Sequence, residues 1–473
     1  MISKKKQRIK YIFGDILSSI VAWSAFNVAR YYLGGRALYE FSSLTSFMSS
    51  KMVLLGDIVF PLLMLAVYWL SGFYNDVFRK SHVQNFITTF FSSLSNTILI
   101  FFIALINDVI IDQRVTNYEL LLILLSLLFV VTFSVRYYIT SSSNKKFECG
   151  KWKYNALIIG ASDKAIAFGN QIKGEGSYMG YNIVGYVPID NEKSSQCHHT
   201  IFNINDLQQV CLEHNIKELI VVPHNNDIAS SMNIVNKLYS IGLPIKVSPD
   251  IYTILVGKMR LSNLRGEPLV DISSCGMSDF EKNIKRLCDI VVSFIALLLL
   301  LPFFAIICIL VKIDSKGSAI FKQKRVGFHR KEFTIYKFRS MVTNAESDGR
   351  PALSSENDSR ITPLGRILRK YRIDELPQFW NVFIGDMSIV GPRPERKFFV
   401  DQIIQQAPLY SLLYQVRPGI TSMGMVKFGY AKNINEMIER FRYDLLYLEN
   451  MSIVNDIKIL IYTVKIVLTG KGI

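Results

Sequence analysis

The sequence predicts a chain of three parts: an α-helical membrane domain of four spans, an α/β domain, and a mostly α-helical domain with one further apolar helix. Three observations lead to this fold class. Four apolar runs of about 20 residues fill the first 140 positions, and short strand-like and helix-like runs alternate from 154 to 250. A polar, basic region with one uncharged apolar run follows. We expect boundaries at 1–145, 146–270 and 271–473.

Composition supports a membrane protein and narrows the function. The 473 residues include 54 Lys and Arg against 38 Asp and Glu, a formal charge of +16, and half of them are hydrophobic. This apolar share excludes a disordered chain, and the length excludes a disulfide-stabilised mini-protein. A basic excess beside apolar segments suits anionic lipids or anionic substrates. Nucleic acid is the rival partner, but nucleic-acid-binding proteins seldom carry long uncharged apolar runs, so we expect none.

The six cysteines indicate neither a metal site nor disulfides. No two of them have CxxC spacing. Cys197, His198 and His199 are adjacent, and adjacent ligands do not readily converge on one zinc ion, so we predict a solvated loop there. The absence of a disulfide pattern fits exposure to the cytosol.

The four apolar runs extend from Tyr11 to about Val28 and over about 52–74, 83–106 and 118–140. Each is near the length that crosses a bilayer. Lysine and arginine are concentrated in the N-terminal tail, in the second loop and after the fourth run. Because basic loops stay in the cytoplasm, we predict a cytoplasmic N-terminus and a chain that returns to the cytoplasm after four spans.

The segment from 154 to 250 alternates between strand-like and helix-like runs, which predicts a parallel α/β domain. The expected strands are 156–160, 183–188, 219–223 and 243–247, and the expected helices are 163–173, 206–214 and 228–239. The turn from Gly160 to Ala165 keeps only the first glycine of a GxGxxG fingerprint, and Ser162 replaces the second. We therefore predict a degenerate Rossmann-like domain for regulation or assembly, with a working dinucleotide site as the alternative.

The last apolar run, Ile290–Val311, has no charged residue, yet both of its flanks are basic. Basic flanks favour the cytoplasm at both ends. Pro302 lies near the middle, where it removes a backbone hydrogen bond and bends a helix. We predict a re-entrant helix over about 284–312 that enters and leaves the membrane on one side. The alternative is a fifth span, which would place residues 312–473 outside the cell.

Asp374 and Glu375 are the candidate chemical centre of the C-terminal region. They follow four cations, Arg366, Arg369, Lys370 and Arg372, and such a cluster is often only a solvated patch of ion pairs. The functional interpretation is that one carboxylate attacks a phosphorus atom while carboxylate oxygens hold Mg²⁺. Nearby arginine and lysine would neutralise a pyrophosphate, so that an anionic nucleophile can approach.

Several motifs in this region together resemble the bacterial sugar transferases. These are the monotopic phosphoglycosyl transferases, or polyprenyl-phosphate hexose-1-phosphate transferases. The resemblance is close over about 282–470, and four N-terminal spans plus a Rossmann-like domain resemble the large subclass. The motifs that carry it are Lys285-Arg-Leu-Cys-Asp289, Phe321-Lys-Gln-Lys-Arg-Val-Gly327, Lys337-Phe-Arg-Ser-Met341, Arg372-Ile-Asp-Glu-Leu-Pro-Gln378, Asn381-Val382, Gly385-Asp-Met-Ser388 and Val390-Gly-Pro-Arg-Pro394.

The resemblance implies a two-step reaction on the cytoplasmic face of the bacterial inner membrane. Asp374 would attack the β-phosphate of a UDP-hexose, with glucose or galactose as the first candidates, and UMP would leave. Undecaprenyl phosphate would then accept the phosphosugar, which begins the synthesis of an exopolysaccharide, capsule or O-antigen. Glu375 would bind Mg²⁺, Pro302 would form the re-entrant kink, and a homodimer is left open. The phosphates or the uridine would be held by Lys337, Arg339, Arg372 and Arg393.

The sequence departs from the family pattern in two places. Pro418-Gly-Ile-Thr-Ser-Met-Gly-Met425 lacks the glutamine that commonly ends this motif, and Ser318-Ala319 stands where Gly-Pro is usual. We therefore leave the sugar open and assign no catalytic role around Thr421. Two other classes compete with the transferase. One is an NAD-dependent nucleotide-sugar enzyme centred on 154–250, and the other is a non-catalytic membrane scaffold or polysaccharide-export component.

Overall fold

A computed structural model describes most of the chain. The described residues are 4–33, 41, 43–75, 77–78, 80–105, 117–174, 180–189, 200–222, 238, 241–248, 270–271, 276–343 and 358–469. The chain divides into two compact units, one of Met1–Tyr154 with Ile172–Asn182 and one of Asn155–Gln171 with Ile183–Ile473. The three domain boundaries expected from the sequence stay a prediction.

Long apolar helices dominate the N-terminal part of the first unit, as predicted. Among the described residues, four helices of this unit are long and apolar enough to cross a membrane, and a fifth such helix lies in the second unit. Ser81 begins one of them by accepting a hydrogen bond from the backbone N–H of Gln84 at 3.0 Å. The helices are α1 (Lys4–Leu33), the short α2 (Leu44–Met48), α3 (Lys51–Leu70), α4 (His82–Ile100), which continues as a π-helical turn over Phe101–Leu105, and α5 (Asn117–Glu148).

A buried ion pair joins α1 to α5. Arg136 donates from Nε and Nη2 to the two carboxylate oxygens of Asp15, at 2.8 and 2.7 Å, and both side chains are fully buried. Tyr74 also donates to Asp15, and Arg136 donates to Thr89 of α4. A charge inside a membrane domain is costly unless it is paired. This pair therefore fixes how α1 and α5 are aligned along their lengths.

A five-stranded sheet forms the centre of the α/β part. Its order is β2-β1-β3-β4-β5; β1 pairs in parallel with β3, β3 in parallel with β4, and β4 antiparallel with β5. Of the predicted helix at 228–239 the structure describes only Leu238, and Cys197–His199 also lie outside the described residues. The elements are β1 (Tyr154–Ile159), α6 (Asp163–Gly174), β2 (Tyr181–Val187), a 3₁₀ turn (Ile204–Asp206), α7 (Leu207–Glu213), β3 (Glu218–Val221), β4 (Ile245–Val247) and β5 (Val270–Asp271).

The turn after β1 requires glycine for a reason of its own. Gly160 has φ of +127°, and a Cβ there would lie 2.6 Å from the carbonyl oxygen of Val222. Only glycine combines this backbone conformation with so close an approach. The glycine therefore satisfies the turn itself, whether or not the turn binds a nucleotide.

Helices dominate the C-terminal region, and two small sheets accompany them. The strands β6 and β7 form an antiparallel hairpin, and β8 pairs in parallel with β9. The elements are α8 (Asp279–Asp314), β6 (Ile320–Val326), a 3₁₀ turn (Phe328–Arg330), β7 (Glu332–Phe338), α9 (Pro363–Lys370), a 3₁₀ turn (Ile373–Glu375), α10 (Gln378–Ile384), β8 (Ser388–Val390), α11 (Lys397–Gln406), a 3₁₀ turn (Pro408–Gln415), β9 (Gly419–Thr421), α12 (Met423–Lys427), α13 (Ile434–Glu449) and α14 (Ile453–Leu468).

Helix α8 contains the last apolar run and has Pro302 in its interior. Ser278 and Glu281 form a reciprocal capping box at its start, which satisfies two of the free backbone N–H groups there. Its buried residues lie toward the two ends, whereas Leu299 and Leu301 in the middle are 70% and 66% exposed. The middle of this helix is therefore an apolar surface that the other described residues of the unit leave uncovered.

Candidate active site

A cavity of about 850 Å³ lies beside the β6–β7 hairpin. Two buried carboxylates, Asp374 and Glu395, are among the residues that line it. Lysine and arginine side chains outnumber these carboxylates in the cavity wall, so the cavity favours an anionic ligand of the size of a nucleotide sugar. The cations of its wall are Lys322, Arg325, Lys337, Arg339, Arg369, Arg393, Arg396 and Arg440.

The local backbone explains how Asp374 and Glu375 turn inward. Helix α9 ends at Lys370, and Arg372 takes the left-handed conformation with φ of +54°. The chain then forms a single 3₁₀ turn, closed by a hydrogen bond from the N–H of Glu375 to the carbonyl of Arg372 at 3.2 Å. Asp374 and Glu375 are only 6% and 3% exposed. The adjacent carboxylates are therefore buried together, and the interpretation as a solvated surface patch is wrong.

Glu375 is the anchored member of the pair. Its Oε1 accepts from Lys337 Nζ at 2.8 Å and from Arg393 Nη2 at 3.2 Å, and its Oε2 accepts from Arg372 Nη1 at 3.5 Å. Burial on its own would raise the pKa of Glu375, but the three cations together hold that pKa well below its usual value. Glu375 is therefore ionised, and its charge fixes three cations that come from separate segments.

Asp374 has a different environment from Glu375. Its carboxyl group lines the cavity, and burial, together with the charge of Glu375, raises its pKa to about 6 against the opposite effect of Lys337, Arg369 and Arg393. A carboxylate that is poorly solvated and faces a cationic cavity is suited to attack an electrophile. The two neighbours in sequence thus have opposite electrostatic environments.

The structure brings together five of the residues predicted for the site: Lys337, Arg372, Asp374, Glu375 and Arg393. Arg339 lines the same cavity, but its guanidinium donates to backbone carbonyls at the end of α8. Pro302 lies in α8, as expected. The roles of all these residues in binding and catalysis stay predictions.

A second buried carboxylate cluster was not singled out from the sequence. Glu395 accepts from Arg440 Nη2 at 2.7 Å and from Arg325 Nη1 at 3.1 Å. Tyr430 lies close to two other cations, with its ring centre 5.3 Å from the Arg372 guanidinium carbon and 5.1 Å from that of Arg393. Glu395 directly follows a recognised motif, which is a signal that could have found it. Tyr430 and Arg440 carry no such signal.

The arrangement of charges does not favour Mg²⁺ on Glu375. Both oxygens of Glu375 already accept from cations, and a divalent ion there would be repelled by three positive charges. Among the described residues there is no cluster of three or more His, Cys, Asp or Glu that could hold a metal. Glu375 as a metal ligand stays a prediction.

Comparison with known proteins agrees with these motifs. The model of the bacterial sugar transferase family matches residues 280–470. The chain is 38% identical, over 230 residues, to the UDP-N-acetylgalactosamine-undecaprenyl-phosphate N-acetylgalactosaminephosphotransferase of Aeromonas hydrophila, which covers 49% of this chain and 53% of that protein. It is 35% identical, over 263 residues, to the UDP-glucose:undecaprenyl-phosphate glucose-1-phosphate transferase of Klebsiella pneumoniae, which covers 55% of this chain and 56% of that protein.

Each of those two matches spans about half of the relative's length. A third relative is much shorter. It is the exopolysaccharide production protein PSS of Rhizobium leguminosarum bv. phaseoli, 39% identical over 198 residues, which are 40% of this chain and 98% of that protein. Because almost all of that relative is matched, and because the family model covers the segment with the buried carboxylate pair, the chain belongs to the bacterial sugar transferase family.

Proposed function

We propose that this protein transfers a sugar 1-phosphate from a UDP-sugar to undecaprenyl phosphate and releases UMP. One observation carries the proposal. Two adjacent buried carboxylates lie at a cationic cavity, and one of them is bound by three cations while the other is left to react. The activities after which the relatives from Aeromonas and Klebsiella are named support the same reaction class.

In the first step, a carboxylate oxygen of Asp374 attacks the β-phosphorus of the donor. A bond forms between that oxygen and phosphorus, and the bond from phosphorus to the bridging oxygen breaks. UMP leaves with the electron pair of the broken bond, and the phosphosugar stays on Asp374 as an acyl phosphate. Ionised Asp374 needs no proton acceptor for this attack.

In the second step, a phosphate oxygen of undecaprenyl phosphate attacks the same phosphorus. The acyl-phosphate bond breaks, and Asp374 leaves as a carboxylate, ready for the next turnover. The products are UMP and a sugar on undecaprenyl diphosphate. Lys337, Arg372 and Arg393, which Glu375 holds in place, would offset the negative charge that gathers around phosphorus in both steps.

We further propose that α8 is re-entrant and that the catalytic region is cytoplasmic. Near one end of α8, Arg286 donates to the carbonyl of Val382 in α10 at 2.7 Å. Near the other end, Ile307 and Val311 pack with Phe338 of β7. A straight helix from 286 to 311 would be about 38 Å long, longer than the hydrocarbon core. One folded region that contacts both ends favours a helix whose ends lie on the same side of the membrane.

The sugar and the pathway are part of the proposal. Glucose and galactose are our first candidates, and N-acetylgalactosamine joins them because of the relative from Aeromonas. The transfer to a lipid carrier would be the first committed step in building an exopolysaccharide or capsule. A relative from Streptococcus agalactiae is named a galactosyl transferase, and the Rhizobium relative is named for exopolysaccharide production.

Nucleotide release distinguishes the candidate functions. Membranes that contain the protein are incubated with undecaprenyl phosphate and each UDP-sugar in turn, and the nucleotide product is separated by chromatography. We expect UMP with one or two of the sugars and none from the matched Asp374→Asn membranes. UDP instead of UMP would indicate a glycosyl transferase, and neither nucleotide with any sugar would favour a scaffold.

A further inference from the structure

We propose that Arg339 is a positioning residue that ties the C-terminal end of the membrane helix α8 to the catalytic pair, rather than a ligand of substrate phosphate. The inference deepens the proposed transferase function and rests on it. Arg339 is one of the cations in the cavity wall, but its guanidinium is directed at the polypeptide backbone.

The side-chain hydrogen bonds of Arg339 to the described residues all lie at the end of α8. Its Nη2 donates to the carbonyl of Val311 at 3.1 Å and to that of Ser315 at 2.5 Å, and its Nη1 donates to the carbonyl of Lys316 at 3.1 Å. Val311 also accepts from the backbone N–H of Ser315 at 3.2 Å, whereas Ser315 and Lys316 follow the last helical residue. Carbonyls at a helix C-terminus lack donors from the helix itself, and a positive charge there is favourable. Arg339 thus serves as the C-terminal cap of a helix that lies in a distant part of the sequence.

The backbone around Lys316 is shaped for this guanidinium. Gly317 has φ of +124°, and a Cβ at this position would lie 2.4 Å from Arg339 Nη1. Any side chain at residue 317 would therefore displace the guanidinium, besides straining the backbone. Gly317 carries no charge and has no side chain to bind a phosphate, which makes it an independent probe of the contact.

The strand β7 links this cap to the chemistry. Lys337 lies in β7 and donates to Glu375. Arg339 follows two residues later, and its backbone N–H donates to the carbonyl of Ala319 at 2.9 Å, which continues the hydrogen bonding of the hairpin beyond β7. Side chains two apart on extended chain leave the same face, about 7 Å from one another. A shift of the end of α8 therefore moves the segment that carries Lys337.

Helix α8 is held in a similar way near its other end. Arg286 donates to the carbonyls of Val382 and Phe383 at 2.7 and 3.0 Å, in the last turn of α10. Helix α10 begins at Gln378, three residues after Glu375. The membrane helix is thus bound through guanidinium groups to the end of β7, whose Lys337 binds Glu375, and to α10, which follows the pair in the chain. We infer that its placement sets the geometry of that pair.

Few hydrogen-bond donors of the Arg339 side chain remain to bind a substrate. The side chain is buried, and among its nitrogens only Nε has no partner among the described residues. A direct phosphate ligand would need the fork that now binds α8. The two roles make different kinetic predictions, because loss of a ligand weakens binding of the donor, whereas loss of a positioning contact slows the reaction at saturating donor.

The test compares Arg339→Gln and Gly317→Ala with the wild type and with Arg442→Gln. Arg442 pairs with Glu439 on the exposed face of α13, away from the cavity, and serves as the matched control. UMP release is measured over a range of donor concentrations. We expect kcat to fall at least about ten-fold in both test variants, with KM for the UDP-sugar within about two-fold of wild type. A ten-fold rise in KM for Arg339→Gln, with normal kinetics in Gly317→Ala, would overturn the proposal.

A second measurement does not depend on catalysis. In a cysteine-free background, Val311→Cys places a thiol at a position that is 1% exposed. We expect a thiol reagent to label it faster when Arg339→Gln is added, and at the original rate when Arg442→Gln is added. An unchanged rate with Arg339→Gln would refute the cap even if Gly317→Ala fails to fold. If the wild type releases no UMP, the proposed function fails, whereas the labelling still decides whether Arg339 holds α8.

Discussion

The pH dependence of the first half-reaction tests the role of Asp374 most directly. Burial and the charge of Glu375 raise the pKa of Asp374 to about 6. Only the ionised carboxylate attacks phosphorus, so the rate should follow its ionised fraction. With a pKa near 6 that fraction is almost complete at pH 7.5 and about one tenth at pH 5. We therefore expect the rate of UMP release to fall about ten-fold over this interval.

The assay is a single turnover without acceptor. Purified protein in excess is mixed with a UDP-hexose at constant ionic strength, and UMP is quantified over milliseconds to seconds at each pH. Omitting undecaprenyl phosphate isolates the attack by Asp374 from the second step. A rate that is unchanged down to pH 4.5 would refute the assignment of a raised pKa to the nucleophile.

Two variants should shift the acid limb of the pH profile, the range over which the rate falls as the pH decreases, in opposite directions. Glu375→Gln removes a negative charge that raises the pKa of Asp374, so the limb should move to lower pH, on a much reduced rate. Arg369→Gln removes a cation that lowers the same pKa, so its limb should move to higher pH. Limbs that stay in place, or that move together, would show that another group controls the profile.

Four further predictions concern the pair and its setting. Asp374→Asn should abolish UMP release and yet stabilise the protein at pH 7 by about 2 to 3 kcal/mol. The reason is that burying the ionised carboxylate destabilises the fold above pH 6, an effect that is lost toward pH 4, and the variant has no such charge. An unchanged or lower melting temperature at pH 7 contradicts this. Deleting residues 1–270 should leave residual activity, because the described residues that line the cavity all lie from Ser318 onward; a folded but inactive truncation would assign part of the site to the deleted segment. Single cysteines at Lys282 and Lys316, in a cysteine-free background, should both be protected from an impermeant thiol reagent in intact cells, and labelling at Lys316 alone would mean that α8 spans the membrane. Pro302→Ala should increase labelling at Lys316 and lower activity together.

The sequence marked the buried carboxylate pair as the candidate centre because the information for it is local. Asp374 and Glu375 lie in one short motif together with Arg372, and the partners Lys337 and Arg393 lie in two other motifs that were recognised in order. A motif marks a residue but not the direction of its side chain. Arg339 was therefore grouped with the phosphate ligands, although its guanidinium points to the carbonyls at the end of α8.

The sequence did not reveal which residues far apart along the chain bind each other. Arg440 reaches Glu395 from 45 residues away, and Arg136 reaches Asp15 from 121 residues away. Neither pair follows from periodicity, because each joins elements whose packing must be known first. The apolar runs and the alternation of strands and helices were recoverable because burial imposes a period on the sequence. The strand β5 was missed for the opposite reason, since two residues carry no period.

The different surroundings of Glu375 and Asp374 follow from the lengths of their side chains. Glu375, with one more methylene, extends far enough for its two oxygens to accept from Lys337, Arg372 and Arg393. Asp374 is shorter and stays at the cavity wall, where burial rather than a cation dominates its pKa. If both carboxylates were equally paired, neither would be a free nucleophile, and if neither were paired, their mutual repulsion would favour protonation of one. Exchanging the two side chains, by combining Asp374→Glu with Glu375→Asp, should therefore cost more activity than Asp374→Glu alone. The exchange shortens the anchor that holds the three cations as well as lengthening the nucleophile, and UMP release in the first half-reaction measures both.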